Sequence, residues 1–179
     1  VRGALDVLSG VPSIVYGAFA FAFMLAMGLR ASLLGGIIAV SLLIMPGMAR
    51  AMDELIRLVP PELMEASYAL GANRIETALK VVTRQILPGM VSAVLLAFGR
   101  GMGDAASVLF TAGFTDRVSV SLLEPVATLP LAIFFQLGTP VPEVRQRAYA
   151  SAFILTVMIL ALSLSARLLA SKYARHTVK

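Results

Sequence analysis

Uncharged apolar runs alternate with charged stretches along the chain. Four runs are long, and they cover residues 8–28, 33–49, 88–112 and 148–166. A helix needs about 20 predominantly apolar residues to cross a hydrocarbon core of about 30 Å. The pattern therefore predicts four spanning helices, packed as an all-α, polytopic transmembrane helix bundle. Only Arg100 and Asp104 place charges inside a run.

Two connecting stretches differ from these runs. Residues 50–84 carry charges of both signs throughout, so this stretch is expected outside the hydrocarbon. Residues 114–147 are rich in proline and contain one apolar piece, Leu129–Leu137. That piece is too short to span a bilayer alone, so we expect it to be interfacial or re-entrant.

The composition agrees with a membrane protein and removes several classes of function. Hydrophobic residues make up 59% of the 179 residues and charged residues 14%, with a mean hydropathy of +0.89. Soluble domains typically have roughly 45–50% apolar residues and about 25% charged residues. The net charge of +5 is not gathered in a basic patch, which argues against nucleic-acid binding. Cysteine is absent and the single histidine, His176, lies near the end, so we expect neither a metal site nor a cofactor.

Basic residues predict the orientation of the chain in the membrane. If the N-terminus is inside, ten Lys and Arg lie in inner segments and four in outer segments, and Arg100 within the membrane completes the 15. Cytoplasmic segments of membrane proteins carry the excess of basic residues. We therefore expect residues 50–84 to lie in the cytoplasm.

The cytoplasmic stretch is predicted to form two short helices. Pro61 suits the first turn of a helix, and Gly71 suits its C-terminal stop. Asn73 and Glu76 have the spacing of a capping box, which begins a second helix with an apolar stripe on one face. A helical pair of this kind either docks on a soluble partner or lies flat on lipid, and the patterning leaves both interpretations open.

Part of this stretch resembles a known motif. Glu65, Ala66 and Ser67 are followed, after three residues, by Gly71. This arrangement is similar to the EAA loop of bacterial ABC importer permeases, with Ser67 in place of the second alanine. The resemblance implies a permease fold of the MetI-like type and a coupling loop at residues 50–88. It also implies that these four residues contact a groove of an ATPase subunit.

Other segments resemble one branch of that superfamily, the A-type permease subunit of phosphate-specific importers. The similar segments are residues 10–17 (GVPSIVYG), 99–104 (GRGMGD) and 109–113 (LFTAG). The resemblance extends over residues 1–179, which implies a single permease domain and inorganic phosphate as its substrate. Because this family has two further helices at the N-terminus, we expect two helices to precede Val1.

The resemblance implies a complete transport assembly in the cytoplasmic (inner) membrane. Its other members are a second homologous permease subunit, a dimer of ATPase subunits and an extracytoplasmic phosphate-binding protein. The sequence has no G-x-x-x-x-G-K-[ST] motif, so ATP hydrolysis is expected on the partner and this chain is not expected to be an enzyme. The alternatives are another oxyanion or small solute as cargo, or, outside transport, an intramembrane enzyme or a structural scaffold.

Arg100 is the most informative single residue. A guanidinium within a span is costly, so it faces the bundle interior or an aqueous path, and its fork of donors matches phosphate oxygens. Two compatible interpretations are open: an ion pair with Asp104 one helical turn further on, or contact with a ligand. The family resemblance implies that Arg100 faces the translocation path, where Asp104 replaces the family's glutamate.

Arg50 ends the second predicted span on its cytoplasmic side. The sequence alone allows a membrane anchor whose long side chain reaches the headgroups. The family resemblance implies instead a functional basic residue on the substrate path.

Overall fold

All secondary-structure elements in the described part of the chain are helices. The computed structural model describes the backbone of residues 2–174 and the side chains of residues 3–168, and His176 lies outside this part. Its helices are α1 (Arg2–Gly10), α2 (Ser13–Ala26), α3 (Leu33–Arg57), α4 (Pro61–Ala69), α5 (Arg74–Glu76), α6 (Thr83–Gly103), α7 (Leu129–Leu137) and α8 (Pro142–Ala174). A π-helical segment, Thr77–Val82, joins α5 to α6, so that Arg74–Gly103 is one continuous helix. The predicted all-α fold is confirmed.

Three helices in this part of the chain are long and apolar enough to cross a membrane: α3, the continuous helix Arg74–Gly103, and α8 as far as Leu168. A fourth span is present if α1 and α2 count as one, although the chain bends by 95° between them. The predicted span at residues 8–28 is therefore broken by a bend, and it counts as a span only together with α1. The bend lies at Pro12, which lacks an N–H and disfavours helical geometry at the residue before it.

The boundaries of the other spans also differ from the charge pattern. Helix α3 continues past residue 49 to Arg57, because Arg50–Glu54 and Asp53–Arg57 pair at i,i+4 spacing on its surface. Helix α8 begins at Pro142 and not at residue 148, since proline is favoured in the first turn of a helix. Charges mark where hydrocarbon ends, whereas these helices continue beyond it.

The predicted third span, residues 88–112, is wrong at its C-terminal end. Helix α6 ends at Gly103, and Asp104 has extended backbone angles, φ −87° and ψ 121°. Three glycines in the last turns weaken the helix there. Residues 104–112 then form a non-helical stretch, which we call the buried turn segment.

The buried turn segment lies at the centre of the packed core. Ser107, Val108, Thr111 and Ala112 are all buried, and Leu131 of α7 packs on Val108 and Ala112. Its backbone is held from both sides, because Ser32 N–H donates to Thr111 O at 2.8 Å and Val126 N–H donates to Ala112 O at 2.9 Å. Non-helical backbone at membrane depth is tolerated only where protein or a water-filled cavity surrounds it. Here the neighbouring protein supplies those partners.

Candidate functional site

Arg100 projects from the last turn of α6 into a cavity between α6 and α3. The cavity has a volume of about 240 Å³. Its other lining residues are small or apolar: Ile44, Gly47, Met48, Ala51, Ala93, Leu96 and Ala97. The Arg100 guanidinium passes close to Gly47, where a Cβ atom, if alanine replaced the glycine, would lie 3.9 Å from Nη1. The side chain is exposed on the surface of this single chain.

The predicted ion pair between Arg100 and Asp104 is absent. Asp104 has left the helix, so the two residues no longer lie one helical turn apart on one face. Its carboxylate instead accepts a hydrogen bond from the N–H of Ser107, with Oδ2 at 2.7 Å from the nitrogen. No ion pair or hydrogen bond engages the Arg100 side chain within residues 3–168. Of the two interpretations of Arg100, the structure contradicts the ion pair.

The charge of Arg100 has to be balanced by something beyond these residues. A guanidinium facing acyl chains costs about 2.5–3.5 kcal/mol at the centre of a span even on the lenient insertion scales, and less towards its end. The cavity around Arg100 holds no carboxylate among its lining residues. Water, an anion or another subunit is therefore the partner that this surface requires. An aqueous path along the α3–α6 groove satisfies the requirement.

Arg50 lies in a different environment from Arg100. Its Nη1 atom is 2.6 Å from Asp6 Oδ1 and its Nε atom is 3.1 Å from Glu54 Oε1. These residues line a separate cavity of about 260 Å³, although Ala51 next to Arg50 lines the cavity of Arg100. The structure therefore does not bring the two arginines into one site. Sequence reasoning missed Asp6, because no spacing rule links α1 to the end of α3.

The end of α4 has the geometry that the sequence predicted. Gly71 has a φ of +85°, the left-handed conformation that favours glycine. Gly71 N–H donates to Tyr68 O at 2.9 Å and Ala72 N–H donates to Ser67 O at 3.2 Å, which together form a Schellman stop. Leu70 beside it is 89% exposed. The tip of the predicted coupling loop thus combines a fixed turn with an uncovered apolar side chain.

The second loop helix begins with the predicted capping box. Glu76 N–H donates to Asn73 Oδ1 at 2.9 Å, and Asn73 N–H donates to Glu76 Oε2 at 3.1 Å. The hydrogen bond from Asn73 N–H, together with the nearby Lys80 ammonium, lowers the pKa of the Glu76 carboxyl in this loop. The start of the continuous helix is therefore held by a carboxylate that stays ionised at neutral pH.

Ser67 and Thr77 fasten α4 to the π-helical segment. Their hydroxyl oxygens are 2.9 Å apart, and Thr77 is almost completely buried. Glu65 and Ala66, in contrast, are exposed on α4. The replacement of an alanine by Ser67 thus adds a hydrogen bond within the loop and leaves its outer face free. Thr77 was missed in the sequence, where it reads as an ordinary helical position.

Comparison with known proteins places the chain in a family. Residues 1–178 match the family described as "Binding-protein-dependent transport system inner membrane component". The phosphate transport system permease protein PstA 1 of Mycobacterium tuberculosis (strain CDC 1551 / Oshkosh) is 36% identical over 167 residues, covering 92% of this chain and 55% of that protein. The phosphate transport system permease protein PstA of Yersinia pestis is 33% identical over 167 residues, covering 93% and 57%.

Two further comparisons concern a permease and a solved structure. The probable ABC transporter permease protein YqgI of Bacillus subtilis (strain 168) is 34% identical over 182 residues, covering 93% of this chain and 62% of that protein. The chain thus spans little more than half the length of the relatives it matches. An inward-facing structure of the MetNI methionine ABC transporter superposes with a TM-score of 0.75 at 18% identity, covering 96% of this chain and 73% of that one.

At 18% identity the structural likeness shows the fold alone, and that fold is the permease bundle that the sequence predicted. The family match covers almost all of the chain. The described residues supply three long apolar helices and a bent fourth candidate. The chain belongs to the family of inner-membrane components of binding-protein-dependent transport systems.

Proposed function

We propose that the protein is the membrane-spanning permease subunit of an ATP-driven importer that carries inorganic phosphate across the cytoplasmic membrane. The observation that carries the proposal is Arg100, a guanidinium near the end of a spanning helix that faces an open cavity without a carboxylate in its lining. Two relatives are named as phosphate transport system permeases, which supports phosphate as the anion.

The chemistry of the cavity suits a weak and exchangeable anion contact. Guanidinium is always charged and offers two parallel donors to a phosphate, which an ammonium cannot do. The remaining wall is apolar or small, so one cation provides the attraction and little else holds the ion. A transported ion has to leave again, and a single partly hydrated arginine favours release. In this proposal Asp104 shapes the path by ending α6 beside Arg100.

The open side of this cavity is the place for the second, homologous permease subunit. Lipid cannot cover an uncompensated guanidinium cheaply, whereas a second membrane subunit across the groove keeps a water-filled path between the two. Small residues on both helices, Gly47 and Ala51 on α3 and Ala93 and Ala97 on α6, allow such a path to be narrow. Arg50 lies outside this cavity, paired with Asp6 and Glu54.

In this proposal, the loop at residues 50–88 couples the conformational change of the ATPase subunits to the membrane helices. Glu65 and Ala66 are exposed on α4, and Gly71 ends that helix in a fixed turn. Ser67 bonds to Thr77 in the continuous helix that also carries Arg100. A dimer of ATPase subunits that displaces α4 therefore moves the helix with the anion contact. An extracytoplasmic binding protein delivers phosphate at the opposite side.

Uptake of labelled phosphate tests the proposal. The full-length protein is expressed with its partner subunits in cells that lack other phosphate importers, and cells with the partners alone are the control. We expect ATP-dependent phosphate uptake only when this chain is present. Excess unlabelled phosphate should suppress the signal, whereas excess sulfate should not. Uptake of labelled sulfate or of another small solute, with none of phosphate, would contradict the proposed cargo.

A further inference from the structure

Five charged side chains join α1 to the cytoplasmic end of α3. Arg50 Nη1 lies 2.6 Å from Asp6 Oδ1, and Arg50 Nε lies 3.1 Å from Glu54 Oε1. Beside them, Arg57 Nε lies 3.2 Å from Asp53 Oδ2. The five residues line one cavity of about 260 Å³. Asp6 is the member that comes from α1, so its contact with Arg50 is an ion pair between two helices.

The charge balance of this cluster does not favour an anion. Among the described residues that line this cavity, three carboxylates stand against two guanidinium groups, and Asp53 makes a further contact. Arg50 already uses both its Nε and its Nη1 atoms on carboxylates. A phosphate ion reaching Arg50 would displace one of them and meet the repulsion of the others. These side chains instead connect helix α1 to helix α3.

The helix held by this connection is one arm of the 95° bend between α1 and α2. Across the bend, Tyr16 Oη donates to Leu8 O at 2.7 Å and Val11 N–H donates to Leu8 O at 3.1 Å. Hydrogen bonds across the bend therefore hold its geometry, and the ion pair of Asp6 with Arg50 connects α1 to α3. Arg50 is the first residue of the coupling loop (residues 50–88) and still lies on α3, so the bend is fastened to the root of that loop.

We infer that Arg50 is a positioning residue, and that its ion pair with Asp6 holds α1 against α3 so that the bend and the root of the coupling loop move together. We call this ion pair the Asp6–Arg50 clasp. The inference rests on the proposed function, in which the loop transmits the motion of the ATPase. Arg50 acts here through Asp6 and α1, and does not touch phosphate.

Charge reversal tests the clasp. A half-exposed ion pair shifts an equilibrium by about fivefold at most, so neutral substitutions are a weak test. Asp6→Arg sets two guanidinium groups against each other and Arg50→Asp sets carboxylates together, so we expect each to lower phosphate uptake by about tenfold. The double variant Asp6→Arg/Arg50→Asp restores an attractive pair between α1 and α3 but leaves a carboxylate at position 50 beside Glu54. We therefore expect partial recovery, with uptake clearly above that of Arg50→Asp alone.

A matched double variant controls for overall charge. Asp6→Arg/Arg57→Asp exchanges the same two charges, but Arg57 is bonded to Asp53 and not to Asp6, so uptake should stay low. If Asp6→Arg/Arg50→Asp is as inactive as Arg50→Asp alone at equal membrane abundance, position 50 requires a cation for its own sake and the inference is overturned. If the unchanged complex takes up no phosphate, it is the proposed function that fails.

A covalent tether provides a second measurement that does not depend on charge. The chain contains no cysteine, so Asp6→Cys/Arg50→Cys introduces one unique pair. We expect uptake by membrane vesicles to fall by about fivefold at most in the reduced state, and to recover when a short, cleavable bifunctional thiol reagent bridges the two positions. Cleavage of the bridge should remove the recovery. Complete bridging without recovery would overturn the clasp.

Discussion

Close approach at single glycines holds the buried turn segment against its neighbours. A Cβ atom on Gly17 of α2 would lie 2.5 Å from the carbonyl oxygen of Ser107, and one on Gly35 of α3 would lie 2.8 Å from that of Thr111. Both neighbours are backbone atoms, which cannot move aside as a flexible side chain does. The two glycines therefore allow helix surfaces to rest directly on non-helical backbone.

Gly17→Ala should destabilise the protein by about 1–3 kcal/mol, because overpacking forces the backbone of Ser107 to shift. Gly99→Ala is the matched control, since its Cβ atom would meet Leu162 Cδ2 at an ordinary 3.6 Å. Alanine within a helix is about 1 kcal/mol more favourable than glycine, so this control should be neutral or stabilising. The measurement is the thermal unfolding midpoint of each detergent-solubilised variant, which should be lower for Gly17→Ala than for Gly99→Ala. Equal midpoints would contradict the close packing of Gly17 on Ser107.

Asp104 is expected to act through its hydrogen bond to Ser107 N–H and not through charge on Arg100. Asp104→Asn keeps an acceptor oxygen and should leave both yield and uptake near normal. Asp104→Ala removes the acceptor and should cost about 1 kcal/mol of stability. Membrane abundance and phosphate uptake are measured for both variants. If asparagine proves as damaging as alanine, the carboxylate charge matters and this account of Asp104 is wrong.

At the scale of helices, the sequence predicted caps and stops better than it predicted spans. The capping box at Asn73 and the stop at Gly71 follow from local chemistry, and both are confirmed. The spans were inferred from gaps between charges, which report where hydrocarbon begins and not where a helix bends. The break at Pro12 and the end of α6 before Asp104 were missed for this reason.

The predicted ion pair between Arg100 and Asp104 was wrong because the end of α6 was missed. Spacing of four residues brings two side chains together only on a continuous helix, and the helix ends between them. The buried contacts of Ser107 and Thr77 depend on tertiary packing, which no local pattern encodes. The residue types at the candidate site were therefore predictable, whereas their partners were not.

The Gly71 turn is expected to set how α4 engages an ATPase. Gly71→Val forces a β-branched residue to adopt a positive φ and should cost more than about 1 kcal/mol in the loop. Gly71→Asn is the matched control, because asparagine tolerates the left-handed conformation. Binding-protein-stimulated ATP hydrolysis of the assembled complex should fall with valine and persist with asparagine. Full hydrolysis and transport by the valine variant would show that this turn is not part of the coupling element.

At the scale of the whole molecule, the account requires the coupling loop and the α7–α8 connection to lie on opposite sides of the membrane. Since the chain has no cysteine, Glu62→Cys and Glu143→Cys each introduce one reactive thiol. In intact cells, an impermeant thiol reagent should label position 143 and spare position 62 until the membrane is permeabilised. Labelling of position 62 with protection of 143 would invert the topology.

In the proposed function, Arg100 serves the passage of an anion through the groove between α3 and α6. Its side chain lines that groove with no carboxylate among the lining residues, and its fork of donors matches the oxygens of a phosphate ion.

Uptake of labelled phosphate by Arg100 variants of the full-length, assembled complex tests this claim most directly. Arg100→Ala should abolish uptake at normal membrane abundance, and Arg100→Lys should lose most of it because the fork of donors is lost while the charge remains. Arg117→Ala, which removes a guanidinium from an exposed loop, is the matched control and should transport normally. Near-normal uptake by Arg100→Ala at normal abundance would contradict the account.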